Sequence, residues 1–165
     1  MIAIVMGVCG CGKTTVGRAV ADALGWVFLD ADEFHPPANV AKMSAGVPLT
    51  DDDRWPWLDR LREEMAAIAA RGEHVVLACS ALKHAYRQRL RPAHGVRFVY
   101  LKGDRDTIAA RLALREGHYM PPSLLDSQFS ILEEPGDALV IDAALPLGTQ
   151  IAAVCKSLAS STAVS

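Results

Sequence analysis

The stretch that decides the fold of this chain is Gly7-Val8-Cys9-Gly10-Cys11-Gly12-Lys13-Thr14-Thr15, which fits the pattern G-x-x-x-x-G-K-[ST] at every fixed position. An apolar run at residues 2–6 precedes it, and apolar residues with helical spacing from Val16 to Leu24 follow it. A strand, a glycine-rich loop and a helix in this order form the setting in which the pattern binds phosphate. The sequence therefore predicts a phosphate loop near the start of the chain.

Each part of the predicted phosphate loop has an expected role toward a nucleotide. Its glycines allow the backbone N–H groups of residues 7–15 to turn inward around phosphate oxygens. The N-terminus of the following helix adds partial positive charge at the same place. Lys13 is expected to reach the β- and γ-phosphates, and the hydroxyl of Thr14 to ligate Mg²⁺. ATP and Mg²⁺ are therefore the predicted cofactors.

Length and composition indicate one compact domain, residues 1–165. Hydrophobic residues make up 51% and charged residues 22% of the chain, and the formal net charge is −2. This charge gives no reason to expect nucleic acid or an anionic membrane as a partner. A cytoplasmic location is expected, because the sequence has neither an apolar run of membrane-spanning length nor a signal-peptide pattern. The four cysteines lack zinc-site spacing and are interpreted as reduced thiols.

Apolar runs alternate with helical patterns along the chain. Strands are predicted at residues 2–6, 26–30, 74–79, 97–102 and 138–142. Helices are predicted at 13–24, 37–45, 52–71, 83–91, 104–115, 121–133 and 147–159, and the tail at 159–165 is expected to fray. The near-continuous apolar strands are typical of a parallel sheet covered on both faces. The alternation predicts an α/β, three-layer phosphate-loop NTPase fold with a mostly parallel five-stranded sheet and a helical lid.

Acidic residues follow the second predicted strand, next to the phosphate loop. Ligands of parallel sheets bind beyond the carboxyl ends of the strands, so Asp30 and Asp32 are candidates for chemistry. Phosphoryl transfer needs a group that takes the proton of the acceptor hydroxyl. Asp32 is the candidate base and Asp30 the candidate for Mg²⁺ support. The alternative is that both are solvated turn residues or a helix cap.

Two pairs of basic residues have a spacing of four, which places each pair on one helical face. Lys83 and Arg87 follow the third strand, where they are candidates for binding an anionic acceptor. Arg111 and Arg115 lead into a segment interrupted by glycine and proline that is typical of a lid, and they are expected to close on the transferring phosphoryl group. The alternative for both pairs is a solvated basic surface.

An acidic stretch, Asp51-Asp52-Asp53, precedes Arg54. It lacks the D-x-D-x-D-G spacing of a calcium loop and is interpreted as the acidic first turn of a helix. Either Asp51 or Thr50 is expected to cap that helix. Arg54 is a further candidate for an anion, whereas Trp55 and Trp57 are expected to pack.

Segments beyond the phosphate loop carry a family resemblance over nearly the whole chain. They are residues 32–36, 39–43, 46–54, 79–83 with Tyr86-Arg87, 100–103, 115–118 and Gln128-Phe129. In these segments the chain resembles the gluconate kinases, which are related in pattern to shikimate and adenylate kinases. The chain departs from the usual phosphate loop of these kinases, because Cys9 and Cys11 stand where relatives commonly carry serines.

The resemblance implies transfer of the ATP γ-phosphate to the 6-hydroxyl of D-gluconate, giving 6-phospho-D-gluconate for the catabolism of sugar acids. It also implies Mg²⁺, an acceptor-binding region at about 32–60, a lid at about 111–128 and a homodimer. The acceptor contacts that it implies are Asp32, His35, Arg54, Lys83, Arg87, His118 and Gln128. Cations suit the carboxylate of gluconate, and which of Arg54, Lys83 and Arg87 meets it is left open.

Two other functions remain possible at the level of sequence, because a fold does not determine an activity. One is a kinase of another small acceptor, such as shikimate or a nucleoside monophosphate. Shikimate kinases usually have a glycine-rich turn after the third strand, where this chain has Cys79-Ser80-Ala81-Leu82-Lys83. The other is a regulatory module that binds a nucleotide without transferring phosphate.

Overall fold

A five-stranded sheet forms the centre of the computed structural model, which describes residues 1–92, 95–114 and 122–162. The strands are β1 (Ile2–Met6), β2 (Val27–Asp30), β3 (Val75–Ala78), β4 (Val96–Lys102) and β5 (Leu139–Asp142). Their order is β2-β3-β1-β4-β5, and each neighbouring pair is parallel. The predicted fold class is confirmed, and the described sheet is parallel throughout.

Helices cover both faces of this sheet. They are α1 (Lys13–Leu24), α2 (Pro37–Ser44), α3 (Asp51–Ala70), α4 (His84–Leu90), α5 (Arg105–Ala113), α6 (Pro122–Ile131) and α7 (Leu147–Thr162). Alternate residues of β1 contribute to different hydrophobic clusters: Ile2 and Ile4 to one that includes residues of α3 and α4, Ala3 and Val5 to one that includes residues of α1 and α7. Because side chains alternate across a strand, β1 is buried on both faces, as its apolar run predicts.

The predicted helices and strands agree with the described ones, with two differences. A short 3₁₀ helix, Ala31–Phe34, follows β2 and was missed, because four residues are too few to show a hydrophobic period. Helix α7 continues to Thr162, into the segment predicted to fray. Residues 163–165 lie outside the described residues, as do residues 115–121 of the predicted lid. No described helix is long and apolar enough to cross a membrane.

Helix α3 begins with a capping box that sets the direction of its first turn. The Thr50 hydroxyl accepts a hydrogen bond from Asp53 N at 3.2 Å, and the Asp53 carboxylate accepts one from Thr50 N at 2.9 Å. Thr50 is therefore the cap, and Asp51 lies in the first turn. This start places Arg54 and Trp57 on the buried side of α3, where Trp57 donates a hydrogen bond to Ala31 O just after β2.

Candidate active site

The phosphate loop joins β1 to α1 in a conformation that its glycines permit. Gly7 has φ 143° and Gly10 has φ 78°, values that favour glycine. A Cβ atom at Gly7 would lie 2.8 Å from Leu101 O, and one at Gly10 would lie 2.8 Å from the Leu112 side chain. Helix α1 starts at Lys13 without a side-chain cap, so the N–H groups of its first turn remain available to an anion.

Lys13 and Thr14 are the first two residues of α1, and each side chain donates a hydrogen bond at the end of the phosphate loop. Lys13 Nζ donates to Val8 O at 2.8 Å, across the phosphate loop. The Thr14 hydroxyl donates to Asp30 Oδ2 at 2.8 Å, and Asp30 Oδ1 accepts from Asp32 N at 3.0 Å. The structure thus brings together the two predicted metal ligands and the predicted base.

Asp32 lies in the 3₁₀ helix after β2, and it lines a cleft together with Lys13. Its side chain is 85% exposed to solvent, although walls of the cleft surround the carboxyl group. Desolvation by the surrounding walls nevertheless raises the pKa of this carboxyl, Lys13 opposes the rise, and the negative Asp30 adds to it. A carboxylate with a raised pKa is a better proton acceptor than an ordinary aspartate, so Asp32 remains the candidate general base.

The cleft beside the phosphate loop has a volume of about 150 Å³. It contains four of the side chains that the resemblance assigned to the acceptor, Asp32, His35, Arg54 and Gln128. Its other lining residues are Cys9, Lys13, Met43, Val47, Pro48, Leu49, Trp57, Ser80, Leu124 and Ser127. Residues from α2, α3 and α6 therefore meet at one face of the phosphate loop.

Arg54 is a buried cation in this cleft. Its residue exposure is 8%, and no ion pair to it is formed by the described residues. Its guanidinium donates only a long bond of 3.5 Å to Leu49 O, and its buried Nε has no hydrogen-bond partner within the described part of the chain. The guanidinium carbon also lies 5.3 Å from the centroid of the Tyr86 ring. Because a buried charge without an ion pair is costly, this guanidinium is a candidate for binding an anionic ligand.

Lys83 and Arg87 do not line the cleft. Lys83 Nζ contacts both carboxylate oxygens of Asp51 at 2.9 and 3.1 Å, and the Tyr86 hydroxyl donates to the same carboxylate. Arg87 is buried and donates to two backbone carbonyls, Ala81 O and Leu82 O, at 3.0 Å each.

The prediction that Lys83 and Arg87 share a helical face is wrong, because Lys83 precedes α4 as its N-cap residue. Both cations contact partners close to the end of β3. These contacts stabilise the chain there, and neither side chain lines the cleft.

Arg111 lies on the other side of the phosphate loop. It lines an open cleft of about 340 Å³ with Gly10, Cys11, Gly12, Thr15, Val16, Leu145, Leu147 and Gln150. Its guanidinium donates to Ala143 O at 2.7 Å. Arg111 therefore lines a different cleft from the one that Asp32 lines. Arg115 and His118 lie outside the described residues.

Helix α6 contacts the phosphate loop directly. Cys9 N donates a hydrogen bond of 2.7 Å to Gln128 Oε1. The amide nitrogen of Gln128 points away from Cys9 N, and it can only donate hydrogen bonds. Cys9 is partly exposed, whereas Cys11 is buried. All four cysteines are in the described part of the chain, and none forms a disulfide.

Two residues of the site were not singled out from the sequence as individual candidates, although both lie in the acceptor-binding region that the resemblance implies. Trp57, expected to pack, stacks on His35 with ring centroids 4.1 Å apart and also lines the cleft. Asn39 is 3% exposed and contacts the same histidine. An asparagine in a short helix has no pattern that separates it from a turn residue, so only the tertiary contact identifies it.

A phosphate loop, a carboxylate and a cation at the ends of parallel strands define a phosphate-loop kinase. In agreement, the sequence model of the shikimate kinase family matches residues 9–130. A gluconokinase of Gluconobacter oxydans (strain 621H) is 52% identical over 139 residues, which cover 81% of this chain and 76% of that protein.

Two solved structures are similar along nearly their whole length. The gluconokinase of Sinorhizobium meliloti 1021 is 43% identical, with 94% of each chain covered and a TM-score of 0.82. An unliganded sugar kinase of Janibacter sp. HTCC2649 is 46% identical, covering 95% of this chain and 93% of that chain, with a TM-score of 0.89. This chain belongs to the gluconokinase family, as the resemblance in its sequence predicted, and it is a nucleotide-binding kinase.

Proposed function

We propose that this chain transfers the γ-phosphate of ATP to the 6-hydroxyl of D-gluconate, giving 6-phospho-D-gluconate. The observation that carries this proposal is the unpaired, buried guanidinium of Arg54 in a cleft that also holds Asp32 and Lys13. Gluconate is a polyol with a carboxylate at the end opposite its reacting hydroxyl. Such a molecule can pair its carboxylate with the cation of the cleft and present a hydroxyl to the base.

Arg54 binds the acceptor carboxylate in this proposal. Its planar guanidinium can donate two parallel hydrogen bonds to a carboxylate, and burial strengthens them. Lys83 and Arg87 were the other candidates, but their charged groups are held by Asp51 and by backbone carbonyls. Gln128 and His35 line the remaining length of the cleft. The amide N–H groups of Gln128 suit hydroxyl oxygens of the acceptor, and the His35 ring forms part of the wall beside them.

Asp32 takes the proton of the acceptor hydroxyl. The hydroxyl oxygen attacks the γ-phosphorus, the bond between this phosphorus and the β–γ bridging oxygen breaks, and ADP leaves with the electron pair. In this proposal Lys13 and the N–H groups of the phosphate loop stabilise the negative charge that develops on the transferring group, which the uncapped start of α1 supports. Positioning and charge stabilisation are most of what this reaction needs.

Thr14 and Asp30 are the residues that would hold Mg²⁺. Their oxygens are 2.8 Å apart, and hard oxygen ligands of this kind suit the ion. No group of three or more acidic, histidine or cysteine side chains forms a metal site among the described residues. A pair is nevertheless sufficient, since Mg²⁺ usually binds through one or two protein oxygens together with phosphates and waters. When bound, the ion supplies positive charge to the phosphates.

Residues 111–128 act as a lid in this proposal, with Arg111 and Arg115 as its catalytic arginines and His118 as an acceptor contact. Helix α5, which leads into this region, packs on the phosphate loop through Leu112.

We also infer an acceptor-binding region at about 32–60 and a homodimer, the latter from the resemblance to gluconate kinases. A cytoplasmic location is proposed as well, in keeping with the four cysteines outside disulfides.

An acceptor panel tests the function. Release of ADP is measured with gluconate, sorbitol, shikimate and a nucleoside monophosphate, each with ATP and Mg²⁺. Gluconate is expected to give the highest kcat/KM, and the product should be phosphorylated at the 6-hydroxyl by ³¹P NMR. If kcat/KM is higher with shikimate or a nucleotide than with gluconate, that acceptor is the substrate and the proposed function is wrong. ADP release that no acceptor increases would favour a regulatory module, and light scattering decides the oligomeric state.

A further inference from the structure

Asn39 holds its side-chain amide in one defined orientation. Its Nδ2 donates to the backbone carbonyl of Asp53 at 3.0 Å and lies 3.3 Å from His35 Nδ1. If the amide were turned over, its oxygen would face the Asp53 carbonyl oxygen, and two acceptors would meet. The Asp53 carbonyl therefore requires an N–H group at this position, and the second hydrogen of the same nitrogen faces His35.

This orientation decides which nitrogen of His35 carries the proton. Because Asn39 presents a donor, Nδ1 of His35 must accept, and the neutral ring carries its hydrogen on Nε2. Nε2 faces Asp32 Oδ1 at 3.9 Å. That distance is too long for a hydrogen bond, but a shift of about 1 Å would bring it into range. Catalytic hydrogen bonds are often long in empty sites.

The His35 ring is fixed in place and uncharged. Its side chain is 3% exposed, and it stacks on Trp57 with an interplanar angle of 15°. Trp57 is itself held by a hydrogen bond of 2.8 Å from its Nε1 to Ala31 O. Burial lowers the pKa of His35 to about 4, and the positive charge of Arg54 adds to this effect. At neutral pH the ring is therefore neutral.

We propose that Asn39 and His35 are positioning residues for Asp32: Asn39 holds His35 as the Nε2–H tautomer, and His35 donates this hydrogen to one oxygen of the Asp32 carboxylate when the acceptor binds. The other carboxylate oxygen then faces the acceptor hydroxyl and takes its proton. This inference rests on the proposed role of Asp32 as base. It adds a relay of three side chains, Asn39, His35 and Asp32. Of these, Asn39 and His35 do not touch the reacting atoms.

The tautomer is tested without any activity measurement. In protein labelled with ¹⁵N-histidine, two-bond ¹H–¹⁵N correlation spectra distinguish protonated from unprotonated ring nitrogens, and loss of the signals in His35→Gln assigns them. We expect Nε2 protonated and Nδ1 unprotonated in the parent. In Asn39→Ala, which removes the donor, the fixed preference for Nε2–H should be lost, and part of the population should carry the proton on Nδ1. His74, which contacts the N-terminal amine instead, is the internal control. A parent ring protonated on Nδ1 would overturn the proposal.

The role of the Nε2–H group is tested by a matched pair of variants. His35→Gln can place an amide N–H near the former Nε2, whereas His35→Asn can place one only near the former Nδ1. His35→Asn is expected to lower kcat with gluconate by about 10²-fold, the scale of a misplaced catalytic group. His35→Gln should recover most of that loss, with the KM for ATP unchanged in both. Equal losses of kcat in the two variants, or losses confined to the KM for gluconate, would contradict the positioning role.

These outcomes are separable from failure of the proposed function. If the parent shows no gluconate-dependent release of ADP, the proposed function is wrong, while the NMR spectrum still decides the tautomer of His35. If the parent is active and its ring carries the Nδ1 proton, the function stands and the relay is overturned. Thermal unfolding of every variant shows whether a loss of kcat comes from loss of the fold.

Discussion

The hydroxyl of Thr14 donates a hydrogen bond of 2.8 Å to the carboxylate of Asp30, which joins the first turn of α1 to the end of β2. The two residues are separated by 16 positions, and the parallel order of β2, β3 and β1 brings them to one edge of the sheet. Thr14 is exposed there and Asp30 is half-buried. This contact places two oxygen ligands beside the phosphate loop before any ion binds.

Asp30→Asn is expected to weaken the response to Mg²⁺ more than it weakens turnover. The amide keeps the size of the side chain but removes the negative charge beside the ion. The Mg²⁺ concentration for half-maximal activity should rise at least about 10-fold, the scale on which the groups around a metal control its affinity. A Mg²⁺ titration at fixed ATP measures it. An unchanged titration curve would remove Asp30 from the metal site.

Lys13→Ala should lower kcat by at least about 10²-fold, because one preorganised cation on the β- and γ-phosphates is lost. Lys102→Ala is the matched control, since Lys102 is an exposed lysine that pairs with Glu134 at the surface. Steady-state rates at saturating gluconate compare the two variants. If Lys13→Ala is as active as Lys102→Ala, Lys13 does not contact the reacting phosphates.

Asp32→Asn should lower kcat by about 10²–10⁴-fold, because the amide cannot take the acceptor proton. Binding of ATP should persist, as measured by calorimetry. If the variant binds ATP with Mg²⁺ poorly but turns over normally at saturation, Asp32 belongs to the metal site and the roles of Asp30 and Asp32 are exchanged.

The pH dependence of kcat provides a second test of Asp32. Desolvation raises the pKa of this carboxyl, so protonation inactivates the base as the pH falls through that raised value. The acidic limb of the parent profile is therefore expected above the usual range of aspartate, with activity retained at higher pH. The residual activity of Asp32→Asn should lack this limb. A limb of the same position in both enzymes would assign it to another group.

Arg54→Met and Arg87→Met should have opposite consequences. Arg54 is buried without an ion pair among the described residues, so its loss should not lower the melting temperature but should reduce kcat/KM for gluconate toward that for sorbitol. Arg87 satisfies two backbone carbonyls, so its loss should cost about 1–3 kcal/mol of stability. Thermal unfolding and the two acceptors measure both effects. A parent that uses sorbitol as well as gluconate would contradict the carboxylate site.

Cys9 is expected to be the thiol that iodoacetamide modifies fastest, with loss of activity. It is partly exposed in an electropositive loop, the setting of reactive cysteines, whereas burial raises the pKa of Cys79 to about 12. ATP with Mg²⁺ should protect by covering the loop. Cys9→Ser should remain active and resist inactivation, with Cys11→Ser as the control. If iodoacetamide modifies Cys9 slowly, and ATP does not change that rate, Cys9 is not unusually reactive.

The sequence by itself determined the parts of the site that depend on local order. The phosphate loop, the strand before it and the helix after it follow from consecutive residues, and Asp30 and Asp32 follow from the position of β2. The sheet and its helices were also predictable, because apolar periodicity records which faces of an element are buried. Parallel strands then place their carboxyl ends at one edge, so these residues had to lie near one another.

Only the tertiary structure decided how the polar side chains divide among roles. Three cations were equivalent candidates for the acceptor, and they differ through contacts made far along the chain: Lys83 meets Asp51, 32 positions away, whereas Arg54 has no such anion among the described residues. Asn39 likewise sets the state of His35 only because the carbonyl of Asp53 fixes its amide. Charge pairing and tautomer depend on partners brought together by folding, and no local pattern of residues records them.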